Sequence, residues 1–270
     1  MAYWKDTYRF RDSIEYEYKY AGRYGAKGEK RSSKRKATPE QVKKQNQHNR
    51  ENKIRRLIKA NFKEGDLWTT LKYPAGTKKR VGDVFKDLNR FITNMRREYK
   101  KSDTPFKYIY RVEVGKYGGV HIHILINKLD GIQTDELIQK KWKYGRANFT
   151  GIYDAGGYSQ LASYIVKQEE ESAEQLSLFP EDEQKELTRY SCSRNLIRPV
   201  AERKVYGHWT MRRILSDGPK ATEGYFVDKN SVVYGVNPYT GMSYYRYTEV
   251  RIKKEGDYLE TGQYLSYDDS

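Results

Sequence analysis

Two histidines separated by one residue are the strongest candidates for chemistry in this sequence. His121 and His123 flank Ile122 in the most hydrophobic stretch of the chain. Alternate residues of a β-strand project to the same face, so a strand here points both imidazoles in one direction. Neutral imidazole is a common ligand of divalent cations. An isolated H-x-H pattern is more often structural, so the metal interpretation needs further ligands nearby.

Glu113 is the candidate third ligand. It lies on the predicted strand before the His strand, and the two strands are joined by a glycine-containing turn. Directly opposed residues of a hairpin share a face, so a register shift of one residue decides whether Glu113 faces the histidines or Ile122. A three- or five-residue loop, or a bulge, gives the favourable register. Two imidazoles and one carboxylate suit Mg²⁺ or Mn²⁺ and leave open positions for a phosphate oxygen. The alternative for Glu113 is a surface carboxylate.

Tyr164 is the candidate nucleophile. It begins the sequence Y-x-x-K on a predicted helix, so Tyr164 and Lys167 share a helix face. A tyrosine hydroxyl has an ordinary pKa near 10 and is a weak nucleophile unless a nearby cation assists it. With 26 tyrosines in the chain, such a pattern alone is weak evidence. Its position, one helix after the His strand, favours the catalytic interpretation over packing on the sheet.

The elements that position these residues follow from hydrophobic periodicity. The order is strand, helix, strand, strand, helix, strand and helix. This order predicts an α+β fold with a ferredoxin-like or RRM-like antiparallel sheet and helices on one face. The predicted ranges are 67–73, 81–99, 106–114, 120–127, 134–142, 146–153 and 158–168.

Composition narrows the class of protein. The 270 residues carry a formal net charge of +16, and residues 1–60 contain 18 basic and 7 acidic side chains. A basic, tyrosine-rich chain indicates nucleic-acid binding. There is no apolar run long enough for a membrane span and no apolar leader segment. The single Cys192 excludes a disulfide framework and a cysteine-based zinc site. We therefore expect a cytoplasmic protein.

Three segments together resemble a known family. Trp68–Tyr73, Gly119–Asn127 and Tyr164–Lys167 are similar, in this order, to the three motifs of HUH endonucleases. The resemblance is closest to the rolling-circle replication initiators of small DNA phages and related bacterial elements. It covers roughly residues 54–215 and includes a further similar stretch, Tyr190–Leu196.

The resemblance implies a reaction. Tyr164 would attack a phosphodiester of single-stranded DNA, forming a 5′-phosphotyrosine link and releasing a 3′-hydroxyl that primes synthesis. His121, His123 and Glu113 would hold Mg²⁺ or Mn²⁺, and Lys167 would position the DNA or its phosphate. The expected partner is single-stranded DNA at a replication origin or origin hairpin. Because no Walker A pattern is present, a host helicase and polymerase would be needed. No membrane and no small-molecule cofactor are expected, and the location would be a bacterial cytoplasm.

Some features leave alternatives open. Tyr158 precedes Tyr164 by six positions, roughly 600° of helix rotation, so the two do not share a face and a single-tyrosine enzyme is favoured. A transposase or conjugative relaxase remains possible within the same superfamily, although relaxases typically carry a third histidine on this strand. A non-catalytic nucleic-acid-binding protein is the alternative of another class.

The sequence predicts three regions and a set of DNA contacts. Residues 1–53 are interpreted as a partly mobile basic arm and helix start, 54–215 as the HUH nuclease domain, and 216–270 as a β-rich extension with a polar tail. The acidic segment 169–186 is interpreted as a spacer within the nuclease domain. Basic and aromatic side chains predicted to contact DNA are Trp68, Thr70, Lys72, Tyr73, Lys34, Arg35, Lys36, Arg55 and Arg56.

Overall fold

The computed structural model describes residues 3–20, 33, 35–77, 79–115, 119–152, 158–166, 189–206 and 211–252. In chain order the elements are β1 (Tyr3–Arg9), β2 (Ser13–Tyr20), α1 (Pro39–Asn61), β3 (Leu67–Lys72), α2 (Val81–Lys101), β4 (Tyr108–Val114), β5 (Val120–Ile126), α3 (Thr134–Lys141), β6 (Arg146–Gly151), α4 (Ser159–Val166), β7 (Tyr190–Cys192), β8 (Glu202–Tyr206), α5 (Arg212–Asp217), β9 (Tyr225–Asn237) and β10 (Met242–Arg251).

The chain divides into two compact units. One consists of residues 39–198, and the other combines residues 1–38 with 199–270. The boundaries predicted at 53/54 and 215/216 therefore differ from this division. The first differs because α1 begins at Pro39 and packs on α4, within the first of these units. The second differs because β8 pairs with β1, which belongs to the other unit.

The unit of residues 39–198 contains a five-stranded antiparallel sheet in the order β6-β3-β5-β4-β7. This arrangement confirms the predicted α+β class. The prediction that the helices lie on one face is wrong. Side chains of β5 alternate between two cores, with Ile122 and Ile124 packed with α2 and Leu125 packed with α1 and α4. The strand is apolar at nearly every position because both of its faces are covered.

The other unit contains a second five-stranded antiparallel sheet, in the order β8-β1-β2-β10-β9. The interpretation of the chain start as a mobile arm is wrong for residues 3–20, which form β1 and β2. Tyr16 and Tyr18 alternate with charged residues and bury their rings on one face of this sheet. On the other face, Asp6 is fully buried and paired with Arg203 and Lys19. The basic segment 21–32 and the acidic segment 169–186 lie outside the described residues.

None of the helices in the described part of the chain combines the length and apolar character needed to cross a bilayer.

Candidate active site

The strand register brings the predicted polar residues to one face of the sheet. In the β4–β5 pair, Glu113 lies opposite His121 and Arg111 lies opposite His123. In the β3–β5 pair, Thr70 lies opposite His123. The register is therefore the one, of those considered from the sequence, that places Glu113 on the histidine face.

Packing on the opposite face fixes this orientation. Val120, Ile122 and Ile124 of β5 are buried in the core formed with α2. Since side chains alternate along a strand, His121 and His123 must project from the other face, toward the layer of α1 and α4. A one-residue slip would bury both imidazoles in the α2 core, so the apolar pattern of β5 specifies where the histidines point.

Helix α4 brings Tyr164 to the same place. The Tyr164 hydroxyl donates a hydrogen bond to Glu113 Oε2 at 2.7 Å, and it lies 3.0 Å from His123 Nε2. His123 Nε2 is itself 2.9 Å from Glu113 Oε2. A phenol, an imidazole and a carboxylate from three different elements thus meet within hydrogen-bond distance of one another. Residues far apart in sequence converge here, as a catalytic site requires.

Two residues of β3 hold the histidine ring. The Trp68 indole stacks on His123 with ring centroids 5.8 Å apart, and its ring meets Tyr164 edge-on at 5.8 Å. The Thr70 hydroxyl lies 3.2 Å from His123 Nδ1. A partner on Nδ1 selects the tautomer of the ring and leaves Nε2 directed at Glu113 and Tyr164. Trp68 and Thr70 were predicted as DNA contacts, and that role stays a prediction.

The electrostatics of the site favour an ionised carboxylate beside neutral histidine. The hydrogen bond with His123, followed by that from Tyr164, lowers the pKa of Glu113 to about 2. Burial, with smaller contributions from Lys72 and His123, lowers the pKa of His121 below its ordinary value. His121 is therefore neutral at pH 7, which is the form of imidazole that binds a metal.

The donor set fits a divalent cation in its chemistry, but not yet in its geometry. No group of three or more His, Cys, Asp or Glu side chains in the described residues is arranged as a metal centre. The reason is visible at Glu113, whose Oε2 is occupied by His123 and Tyr164. Two imidazoles and a carboxylate on one face nevertheless form the nitrogen and oxygen set that Mg²⁺ or Mn²⁺ accepts. The metal role of His121, His123 and Glu113 stays a prediction.

Arg111 is a site residue that sequence reasoning missed. It is buried, 6% exposed, and its Nη1 donates to the backbone carbonyl of Tyr164 at 3.1 Å. Its charge also contributes to the lowered pKa of Glu113. A signal was present, because a lone basic residue between Ile109, Val112 and other apolar residues of β4 must have a reason to be buried.

The structure does not bring all predicted residues to the site. The Tyr73 hydroxyl donates to Asp87 on α2 and its ring packs on Trp142, in the core of the opposite face. Trp142 is buried there, as the sequence favoured. Lys72 lies opposite His121 on the site face.

The remaining predicted residues are distributed along α1 and outside this unit. Arg55 and Arg56 are half-buried on α1. Arg35 and Lys36 are exposed and belong to the other unit. Lys34 and Lys167 lie outside the described residues, so their predicted roles have no structural counterpart here.

Comparison with protein families gives an independent indication. Residues 66–169 match the model of a family described as Replication-associated protein ORF2. The matched segment is less than half of the chain, yet it contains Trp68, Glu113, both histidines of β5 and Tyr164. The similarity supports a Rep-like protein with a role in the initiation of replication. No curated protein and no solved structure matches the chain.

Proposed function

We propose that this protein initiates rolling-circle DNA replication as a metal-dependent, single-tyrosine HUH endonuclease. The observation that carries the proposal is the position of the Tyr164 hydroxyl, within 2.7 Å of Glu113 and 3.0 Å of His123. A tyrosine placed only for packing would not need its hydroxyl at the centre of a histidine and carboxylate cluster. The similarity of residues 66–169 to a replication-associated family supports the same assignment.

The proposed reaction is a transesterification at phosphorus. The Tyr164 oxygen forms a bond to the phosphorus, the bond from phosphorus to the 3′-oxygen breaks, and the 3′-oxygen takes up a proton. Glu113 Oε2 and His123 Nε2 are the two acceptors within reach of the phenolic proton. The attack of a later 3′-hydroxyl on the phosphotyrosine reverses these steps and joins the strand.

His121, His123 and Glu113 are the residues that would hold Mg²⁺ or Mn²⁺. A bound cation supplies Lewis-acid stabilisation of the negative charge that develops on the phosphate oxygens. The chain's own contribution is orientation, because Thr70 and Trp68 fix the His123 ring and Arg111 holds the Tyr164 backbone. Lys167 is proposed to position the phosphate, and the bacterial cytoplasm, host helicase and polymerase are proposed as its setting and partners.

The burial of Tyr158 supports a single-tyrosine enzyme. Tyr158 is 6% exposed and packs in the core with Ile54 and Ile165. Its ring is thus part of the packing between α1, α4 and the sheet. Tyr164 is the tyrosine of α4 whose hydroxyl meets the histidine face.

A covalent-adduct assay tests the proposal. Wild type and Tyr164→Phe are incubated with labelled single-stranded oligonucleotides tiled across DNA flanking the gene, with Mn²⁺, and run on a denaturing protein gel. We expect a labelled adduct with wild type that EDTA abolishes and Tyr164→Phe lacks. The matched control is Tyr110→Phe on the opposite face of the sheet, which should retain the adduct. Tight binding without any adduct would favour a non-catalytic DNA-binding protein.

A further inference from the structure

Helix α1 contacts the nucleophile helix through polar side chains as well as apolar packing. Gln47 Nε2 donates to the backbone carbonyl of Val166 at 3.2 Å. Ser163 Oγ donates to Glu51 Oε1 at 3.3 Å. Both contacts fall within one helical turn of Tyr164.

The two α1 side chains act as one unit. Gln47 and Glu51 are four positions apart and share a helix face. Gln47 Nε2 also donates to Glu51 Oε1 at 3.1 Å, which orients both side chains toward α4. All of these groups are partly buried, so water competes less with their hydrogen bonds than it would at an exposed surface.

Arg111 supplies a third attachment from the sheet side. Its guanidinium donates to the Tyr164 carbonyl, and its strand lies opposite the strand of His123. The last described turn of α4 is therefore held from α1 at residues 163 and 166 and from β4 at residue 164. These attachments constrain both the rotation and the axial position of the helix, the two motions that would move the Tyr164 hydroxyl away from His123.

We propose that Gln47 and Glu51 are positioning residues that set the placement of Tyr164 for attack. The inference rests on the proposed function of Tyr164. It goes beyond the family similarity, because α1 precedes the matched segment 66–169. The part of the chain ahead of that segment thus completes the site without contributing a reacting group. Removal of these attachments is expected to lower the rate of the chemical step and to leave DNA binding unchanged.

The test uses the full chain and two readouts. Gln47→Leu keeps the approximate volume and removes the donor, and Gln45→Leu is the matched control, because Gln45 lies on the same helix and donates to Asn49 on that helix. Hydrogen exchange followed by mass spectrometry measures opening of α4. Single-turnover adduct formation at saturating single-stranded DNA measures the chemical step, and fluorescence anisotropy measures the DNA dissociation constant.

We expect faster amide exchange in α4 of Gln47→Leu than in Gln45→Leu. The adduct rate should fall roughly tenfold to hundredfold, because a displacement of about 1 Å can cost on the order of 10² in rate. The dissociation constant should not change. Glu51→Gln keeps an acceptor for Ser163 and should retain the wild-type rate, whereas Glu51→Leu should behave like Gln47→Leu.

The outcomes separate this inference from the proposed function. Equal α4 exchange and equal adduct rates in Gln47→Leu and Gln45→Leu would overturn the inference while leaving an active enzyme. A loss of DNA affinity that accounts for the whole rate change would also overturn it. The absence of any adduct from wild type would refute the proposed function, and the positioning role would fail with it.

Discussion

Thr70 offers a sharp test of how the site is organised. Its hydroxyl is 3.2 Å from His123 Nδ1, and valine has nearly the same shape without the hydroxyl. Thr70→Val therefore removes one hydrogen-bonding group and leaves the strand pairing of Thr70 with His123 unchanged. If His123 binds a cation through Nε2, its Nδ1–H donates to Thr70, and the substitution leaves this donor without that partner.

The expected magnitude follows from two estimates. One hydrogen bond contributes a net ~0.5–1.5 kcal/mol, which corresponds to roughly two- to twelvefold in an equilibrium or rate constant. Loss of the outer partner of a metal-bound histidine typically costs about 10- to 100-fold in metal affinity or activity. The two ranges overlap near tenfold. We therefore expect Thr70→Val to weaken Mn²⁺ binding and to slow adduct formation by about tenfold.

Thr69→Val is the matched control. Thr69 is the neighbouring residue on β3, is fully buried on the opposite face, and its hydroxyl has no hydrogen-bond partner among the described residues. Removing this hydroxyl should leave stability equal or slightly higher. Isothermal titration with Mn²⁺ and single-turnover adduct assays would compare the two variants. If Thr70→Val stays within about twofold of Thr69→Val, the lower limit for one lost hydrogen bond, the orienting role of Thr70 is refuted.

Three further predictions concern other parts of the molecule. Trp68→Leu should lower the adduct rate more than it lowers thermal stability, because the indole packs on His123; a differential scanning measurement beside the adduct assay checks this, and equal losses would contradict it. Tyr158→Phe should keep the adduct on a denaturing gel, because Tyr158 is buried in a core; loss of the adduct without unfolding would assign it a chemical role. Asp6→Asn should cost about 3 kcal/mol at pH 7, because it breaks a buried pair with Arg203. Burial raises the pKa of Asp6, but hydrogen bonds from Arg203 and Lys19 outweigh it and hold the pKa below its usual range, so this stabilisation is present above the ordinary aspartate pKa, near 3.9, and is lost as the pH falls toward the lowered value. Urea unfolding of both proteins at pH 7 and at pH 2.5 should show the difference shrinking, and a constant difference would contradict the assignment.

The local parts of the site could be predicted from the sequence because they depend on short-range periodicity. The spacing of His121 and His123 sets their common face, and the short turn before β5 limits the register to the choices that include Glu113 opposite His121. The position of Tyr164 on a helix after the fourth strand of this sheet also follows from local pattern.

The long-range parts could not be predicted. Which face a helix covers depends on how the chain crosses the sheet, and the sequence does not encode this in a local pattern. Arg111 contacts Tyr164, and Gln47 contacts Val166, across separations that no periodicity reports. These contacts form only once α1, α4 and the sheet are packed together.

Two errors in the secondary structure have identifiable causes. The high charge of residues 3–20 suggested mobility, but the alternation of tyrosine and charge was the signal of strands with one buried face. The polar sequence around Asn230 suggested a turn between two strands, whereas β9 is continuous. Ser231 accepts a hydrogen bond from the Thr248 amide where the β9–β10 register shifts, so a bulge replaces the predicted turn.

The central claim, that Tyr164 becomes covalently linked to DNA, is tested most directly by locating the link. The adduct formed on single-stranded DNA with Mn²⁺ would be digested with nuclease and trypsin, and the peptide spanning residues 147–167 would be sequenced by tandem mass spectrometry. The proposed mechanism predicts a nucleotide joined through its 5′-phosphate to Tyr164. A nucleotide on Tyr158 or Tyr153, or an adduct that maps to no tyrosine of this peptide, would contradict it.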